Sequence, residues 1–470
     1  MPPTRQTRTG PFKGGRRRAA AVVGLIAILT ANAAGQEFDL ATRRAEHWAW
    51  QPLADPEPPA ADAVHPIDRF VGARLRESGL EASPPAPPNV QLRRLWLDLT
   101  GLPPPAAAVA RFTAAPTDAA WNAEVDTLLA SPHFGERWAR HWLDLVRYAE
   151  TLGHEFDFPI PNAWRYRDYV IRAFNADVPY DQFLREHLAG DLLPRPRLSP
   201  DGDNESVQAT AAWWFVEQTH SPVDARQHRA DRIDNQIDVL GKAMLGMTIA
   251  CARCHDHKFD AISQADYYSL FGFVKSSRYV QAPLHPCDPT APDYRSALAA
   301  QRELAPLWAN AALPRDRRWL AMAQSPPERW LASAGVGPLR RGDRVIASTD
   351  DPADWILTDD GFGAEPWRGP WCADPASTAP ELLLLPGAFW NTGVAGARRE
   401  GTLQTATFEI TARHLHVRAA GRDSRIAVIV DGFHLVRDPI YGGLHHTVEK
   451  PFAHWLTFDL GQWLGHEAYV

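Results

Sequence analysis

The 470 residues are 45% hydrophobic and 22% charged, a balance that suits a globular chain of roughly two or three domains and excludes a disordered or fibrous one. The formal charge of −7 becomes more negative once a basic leader is removed, and a surface of that sign repels nucleic acid and anionic lipid. Four cysteines in this length are too few for a disulfide framework, so a pair standing three apart needs its own explanation.

The chain opens on a signal-peptide pattern over residues 1–33. Arg16-Arg17-Arg18 supplies the positive region, Ala19 to Leu29 a short apolar core, and Ala31-Asn32-Ala33 the small-x-small cleavage site. Cleavage removes Arg5, Arg8, Lys13 and the three arginines, and no acid. The apolar run is too short to span a bilayer, and no later segment is apolar enough, so a periplasmic or secreted protein without an integral membrane segment is expected. Residues 34–64 form a Pro-rich lead, densest from Gln51 to Pro66, that reads as a linker or extended arm.

A helical domain is expected over 65–335. Ile67, Phe70, Val71 and Leu75 recur at helical spacing and predict a helix over 65–80. Similar runs cover 90–99 and 118–130, separated by the proline clusters Pro84–Pro88 and Pro103–Pro105. Residues 132–150 are strongly amphipathic, with Phe134, Trp138, Trp142 and Leu145 on one stripe. Asn162 reads as the N-cap of a helix reaching Phe174, and a short helix covers 181–189. Helices are expected again near 204–215, 231–254, 264–274, 293–311 and 315–334.

Around Gly335 the pattern changes. Short β-type runs at 355–357, 382–385, 407–410, 415–418 and 426–430 are divided by Gly, Asp and Pro, and Phe408, Ile410, Leu415 and Val417 alternate with polar residues. A β-sandwich domain over 336–470 is expected, giving a mainly α N-terminal domain followed by a β-sandwich. Leu464 to Val470 end in mid-pattern, as a truncated domain would. Trp367, Trp371, Trp390, Trp455 and Trp463 read as aromatic core or as a sugar-stacking surface.

The motif that carries chemistry is Cys251-Ala252-Arg253-Cys254-His255, the spacing of c-type haem attachment. Two thiols three apart on a helix share a face and can add to the two vinyl groups of one haem, with the adjacent His255 binding the iron. Upstream, Ile233, Ile237, Leu240, Met244 and Met247 continue to Cys251 and Cys254 at helical spacing, which predicts one buried helix with both thiols facing inward. Other readings stay open. Cys251, Cys254, His255 and His257 could ligate zinc, or the two cysteines could be core thiols or a local disulfide.

The stretch Gly246–Asp260, followed by Tyr267-Tyr268-Ser269-Leu270-Phe271, resembles the secreted planctomycete cytochrome c-like domain family, whose function is otherwise unknown. His65-Pro66-Ile67-Asp68, Leu97-Asp98-Leu99-Thr100-Gly101-Leu102, Arg137-Trp138, Asn162-Ala163-Trp164-Arg165-Tyr166-Arg167-Asp168 and Leu188-Ala189-Gly190-Asp191-Leu192 resemble it too, so the likeness covers about residues 45–280. It implies an exported, mostly helical domain with haem c held at Cys251, Cys254 and His255. No downstream methionine stands where a sixth iron ligand would be expected: Met322 is remote, and Met244 and Met247 precede the motif.

A second constellation gathers His154, Glu155, Asp157, Asp191, His220, His228, Asp231, Asp234, Asp256, His257 and Asp260. These types suit a hydrolytic metal site, but no fixed ligand spacing such as His-Glu-x-x-His appears, and helix caps and ion pairs to Arg165, Arg167, Arg229 and Arg232 account for them as well. The leading expectation is therefore electron transfer with a redox partner. The alternative is a metal-dependent hydrolase or carbohydrate-binding protein acting on polysaccharide.

Overall fold

The computed structural model describes residues 39–60, 65–153, 157–216, 218–219, 222–280, 343–349, 401–421, 424–434, 441–450 and 454–470, with short pieces between 282 and 303 and between 351 and 390. The expected leader lies outside these residues, as does nearly all of 293–311 and 315–334. The chain divides into two compact units, one made of residues 1–83 with 249–270 and the other of 84–248 with 271–470.

Eleven α-helices are described: α1 Leu40–Glu46, α2 Pro66–Glu77, α3 Pro88–Thr100, α4 Ala106–Ala114, α5 Asp118–Leu129, α6 Pro132–Leu145, α7 Ala163–Asn175, α8 Tyr180–Ala189, α9 Glu205–Ala209, α10 Ala225–Leu240 and α11 Gln264–Ser276. Proline starts α2, α3 and α6, where its missing N–H costs nothing and its fixed φ suits the first turn. Thr117 and Ser131 cap α5 and α6 by accepting from Ala120 N and His133 N. Gly101, at φ 71, closes α3 with its N–H on Leu97 O. Asn162 stands at the N-cap position of α7, as expected, but at φ 60 and with no capping bond from its side chain.

In the unit of 84–248 and 271–470, α6, α7 and α8 enclose a core of Ala139, Trp142, Val146, Tyr166, Tyr169, Val170 and Phe183. A Cβ on Gly135 would meet Ile171 O at 2.5 Å, so glycine sets the close approach of α6 to α7. Among the described residues from Trp355 onward the strands pair antiparallel, with short 3-10 turns at Gly442–Leu444 and Gly461–Trp463. His414–Ala419 pairs with His454–Asp459, Ser424–Ala427 with His445–Val448, and Glu467–Tyr469 lies between Phe408–Glu409 and Ile429–Val430. Phe408, Ile410, Val430, Phe433, Tyr441, Phe458, Leu460 and Trp463 fill one core with Ala225 of α10. The class expected from the pattern, helices followed by strands, is the class observed. Among the described residues no helix is long and apolar enough to cross a membrane.

The other unit holds α1, α2, the cysteine motif and the start of α11. Among its described residues few are buried: Ile249, Ala252, His257, Ala261, Ile262 and Tyr267. Helix α2 buries none of its residues, and Ile67, Phe70 and Val71 are exposed.

Candidate haem-attachment site

The helix that approaches the motif stops short of it. Ile233, Ile237 and Leu240 are buried along α10, as their spacing predicts. One π-helical turn, Gly241–Leu245, follows, and Gly246 at φ 65 adopts a left-handed conformation through which an α-helix cannot continue. The expected continuous helix over 231–254 is corrected accordingly. Cys251 lies instead in a short 3-10 helix, Ile249–Arg253.

That change reverses the side chains. In a 3-10 turn residues three apart eclipse one another. Ile249 and Ala252 are buried, while Cys251 within the turn and Cys254 just after it are exposed free thiols. His255 is exposed as well. The inward-facing thiols expected from the apolar stripe are therefore corrected: the three chemical side chains of the motif all face out.

The backbone beneath them is tightly held. His255 Nδ1 lies 2.7 Å from Asp256 O, and because a carbonyl only accepts, Nδ1 is the donor, which leaves Nε2 as the nitrogen that bears the lone pair of the neutral ring. His257 is used differently. Its Nδ1 accepts from Asp260 N at 2.7 Å and Phe259 N at 3.3 Å, and the His257 backbone N–H donates to Ile262 O. The Asp256 carboxylate accepts from Gln264 N at 2.7 Å, at the start of α11. Arg253 O accepts from Gln264 Nε2 and Tyr268 Oη. Ser263 and Asp266 form a reciprocal capping box, with Asp266 N on Ser263 Oγ and Ser263 N on Asp266 Oδ2. The Ser263 N–H, followed by its hydroxyl, holds the Asp266 carboxyl below its ordinary pKa against the opposing effect of burial.

These residues fit haem c in two respects. Thioether formation requires two accessible thiols on one side of the chain, and iron ligation requires an imidazole with an available Nε2 lone pair. The four-ligand zinc set fits less well, since His257 is 5% exposed and spends its Nδ1 on backbone N–H groups. Among the described residues no three His, Cys, Asp or Glu side chains form a group that could hold a metal ion. Of the wider acidic and imidazole set, His154, Glu155 and His220 lie outside the described residues. His228 Nε2 accepts from Thr219 N, and Asp231 accepts from Gln227 Nε2. Trp463 stacks on Tyr441 inside the strand core, so it is not part of a sugar-stacking surface, and the side chains of Trp367 and Trp371 lie outside the description.

A second polar cluster was not foreseen. Glu186 and His187 on α8 are 0% exposed. Arg197 grips Glu186 with two bonds of 3.1 and 3.0 Å, and Tyr169, Gln182 and Ser206 donate to the same carboxylate. Glu205 joins through Arg172 at 2.6 Å and Arg197 at 3.2 Å. Burial would raise the Glu186 pKa, but the Arg197, Tyr169 and Gln182 bonds outweigh it, and the net shift is downward. His187 Nδ1 donates to Phe183 O, and its Nε2 meets Tyr166 Oη and Trp142 Nε1. Burial drives its pKa down to about 4, so it is neutral at pH 7. Several residues of the quoted motifs thus serve packing. Tyr166 and Tyr169 are buried here, and a Cβ on Gly190 would meet Ser206 O at 1.8 Å, so only glycine fits.

No curated protein and no solved structure matches the chain. One family model matches, described as "PSCyt2: Protein of unknown function (DUF1549)", over residues 66–279. Those residues include α2 to α11, the buried Glu186 cluster and the whole cysteine motif. Over this segment the chain is similar to a protein family whose function is itself not known.

Proposed function

We propose that the protein is an exported c-type haem protein that transfers electrons, a periplasmic or secreted member of the planctomycete cytochrome c-like group. The observation that carries this reading is the common outward exposure of Cys251, Cys254 and His255 on a backbone pinned at Arg253, Asp256 and His257. Cys251 and Cys254 would hold haem c by thioether links, and His255 Nε2 would ligate the iron. The bound group would supply one-electron chemistry.

The chain's own residues do the rest. The bond from His255 Nδ1–H to Asp256 O selects the tautomer and makes the imidazole a stronger donor at Nε2. Ile249 and Ala252 anchor the 3-10 turn from within, and Cys251 in that turn and Cys254 directly after it are exposed. Exposure suits a redox partner, which must come close to an electron carrier.

The test is the intact mass of full-length protein, exported from a host with a c-type maturation system. One added haem that survives denaturation is expected, and it should be absent from a Cys251→Ser, Cys254→Ser double variant. Equal masses for the two proteins, corrected for the substitutions, would overturn the proposal.

A further inference from the structure

Helix α1 has an unusual inner face. From residue 40 to 47 all positions are exposed except Leu40, Arg43 and His47, spaced three and four apart on one side. An amphipathic helix ordinarily buries apolar residues on such a face. Here two of the three are polar, and both reach the loop that follows the motif. Arg43 Nη1 donates to Lys258 O at 2.6 Å and to His257 O at 3.3 Å. His47 Nε2 lies 3.5 Å from Asp260 Oδ1. Asp39 caps the helix by accepting from Ala41 N at 3.0 Å.

The gripped carbonyls begin one residue after Asp256, whose own carbonyl orients His255. The same loop is braced internally by His257 Nδ1 and externally by the Asp256 carboxylate on α11. A guanidinium on two carbonyls makes charge-assisted bonds, which are roughly twice as strong as neutral ones. The match to the family model begins at residue 66, so Arg43 and His47 lie outside it.

We infer that α1 is a clamp on the loop after the motif, and that Arg43 and His47 are positioning residues for His255, an inference that rests on the haem reading of Cys251, Cys254 and His255. By fixing the carbonyls of His257 and Lys258 and the side chain of Asp260, the clamp holds the peptide at 256 and with it the tautomer and orientation of the imidazole.

The experiment compares wild type, Arg43→Met and Arg43→Lys as full-length, exported, matured proteins. Arg43→Met keeps the aliphatic stem and removes the donors. The amides of Phe259 and Asp260, which donate to His257, should exchange about tenfold faster in it. The midpoint potential of the attached haem should change, while the amides of α6 and α7 exchange at wild-type rates. Arg43→Lys keeps one point donor and should fall between the two. If wild type carries haem and Arg43→Met matches it in potential, absorption spectrum and exchange at 259–262, the clamp does not position His255. If folded wild type takes up no haem, the haem reading has failed and the positioning role falls with it. Haem content of the wild type therefore tells the two failures apart.

Discussion

Around His187 the polar groups are inside and satisfy one another, whereas around His255 the backbone is tied down and the reactive side chains face out. The first arrangement is what a structural ion-pair and hydrogen-bond network requires. Every oxygen of Glu186 has a donor, and no further partner is needed. In the second arrangement exposed groups stand on a fixed scaffold, as covalent attachment requires. A cluster of chemically capable residues is thus not a site by composition alone. What separates the two is where the unsatisfied valence points.

The contrast breaks most visibly at Arg197. Removing it in Arg197→Met strands a buried carboxylate, and the unfolding free energy from urea denaturation should fall by about 3–5 kcal/mol. Acid should act next. The unfolded chain protonates His187 near 6.5, but the fold refuses that proton until about 4, so stability held at pH 7 is lost as pH falls through this window. The loss assigned to His187 should reach about 3 kcal/mol at pH 4, read as the difference in pH slope between wild type and His187→Gln. Tyr169→Phe removes one donor from Glu186 and should cost about 1–3 kcal/mol in the same denaturation assay. The smallest effect is expected at the motif. Cys251→Ala with Cys254→Ala should change the stability of the haem-free protein by less than about 0.5 kcal/mol, because both side chains are exposed. A large loss there would mean that the thiols pack.

Much of the helical layout was legible from periodicity and proline. The helices expected at 65–80, 118–130 and 264–274 are observed at Pro66–Glu77, Asp118–Leu129 and Gln264–Ser276. Helix α4 was missed because its alanine-rich sequence has little contrast between faces, and α1 because its inner face is Arg43 and His47 rather than apolar. On α8 polarity misleads outright: Glu186 and His187 are buried while Leu188 is 49% exposed. Only the tertiary partners Arg197, Tyr169 and Tyr166 make that arrangement favourable, and none of them is signalled by the helix itself. The candidate site was legible as a motif, but its orientation was not. The apolar stripe implied a helix running through Cys254, and one glycine at position 246, in a conformation the stripe does not reveal, turned the thiols outward.

The most direct measurement is the alkaline pyridine haemochrome spectrum of the exported, matured full-length protein, recorded after acid–acetone extraction. Colour should stay with the protein, and the reduced α-band should lie to the blue of protohaem, where a porphyrin with both vinyl groups saturated by thioether links absorbs. Folded protein that is colourless after extraction, or a band at the protohaem position, would contradict attachment at Cys251 and Cys254.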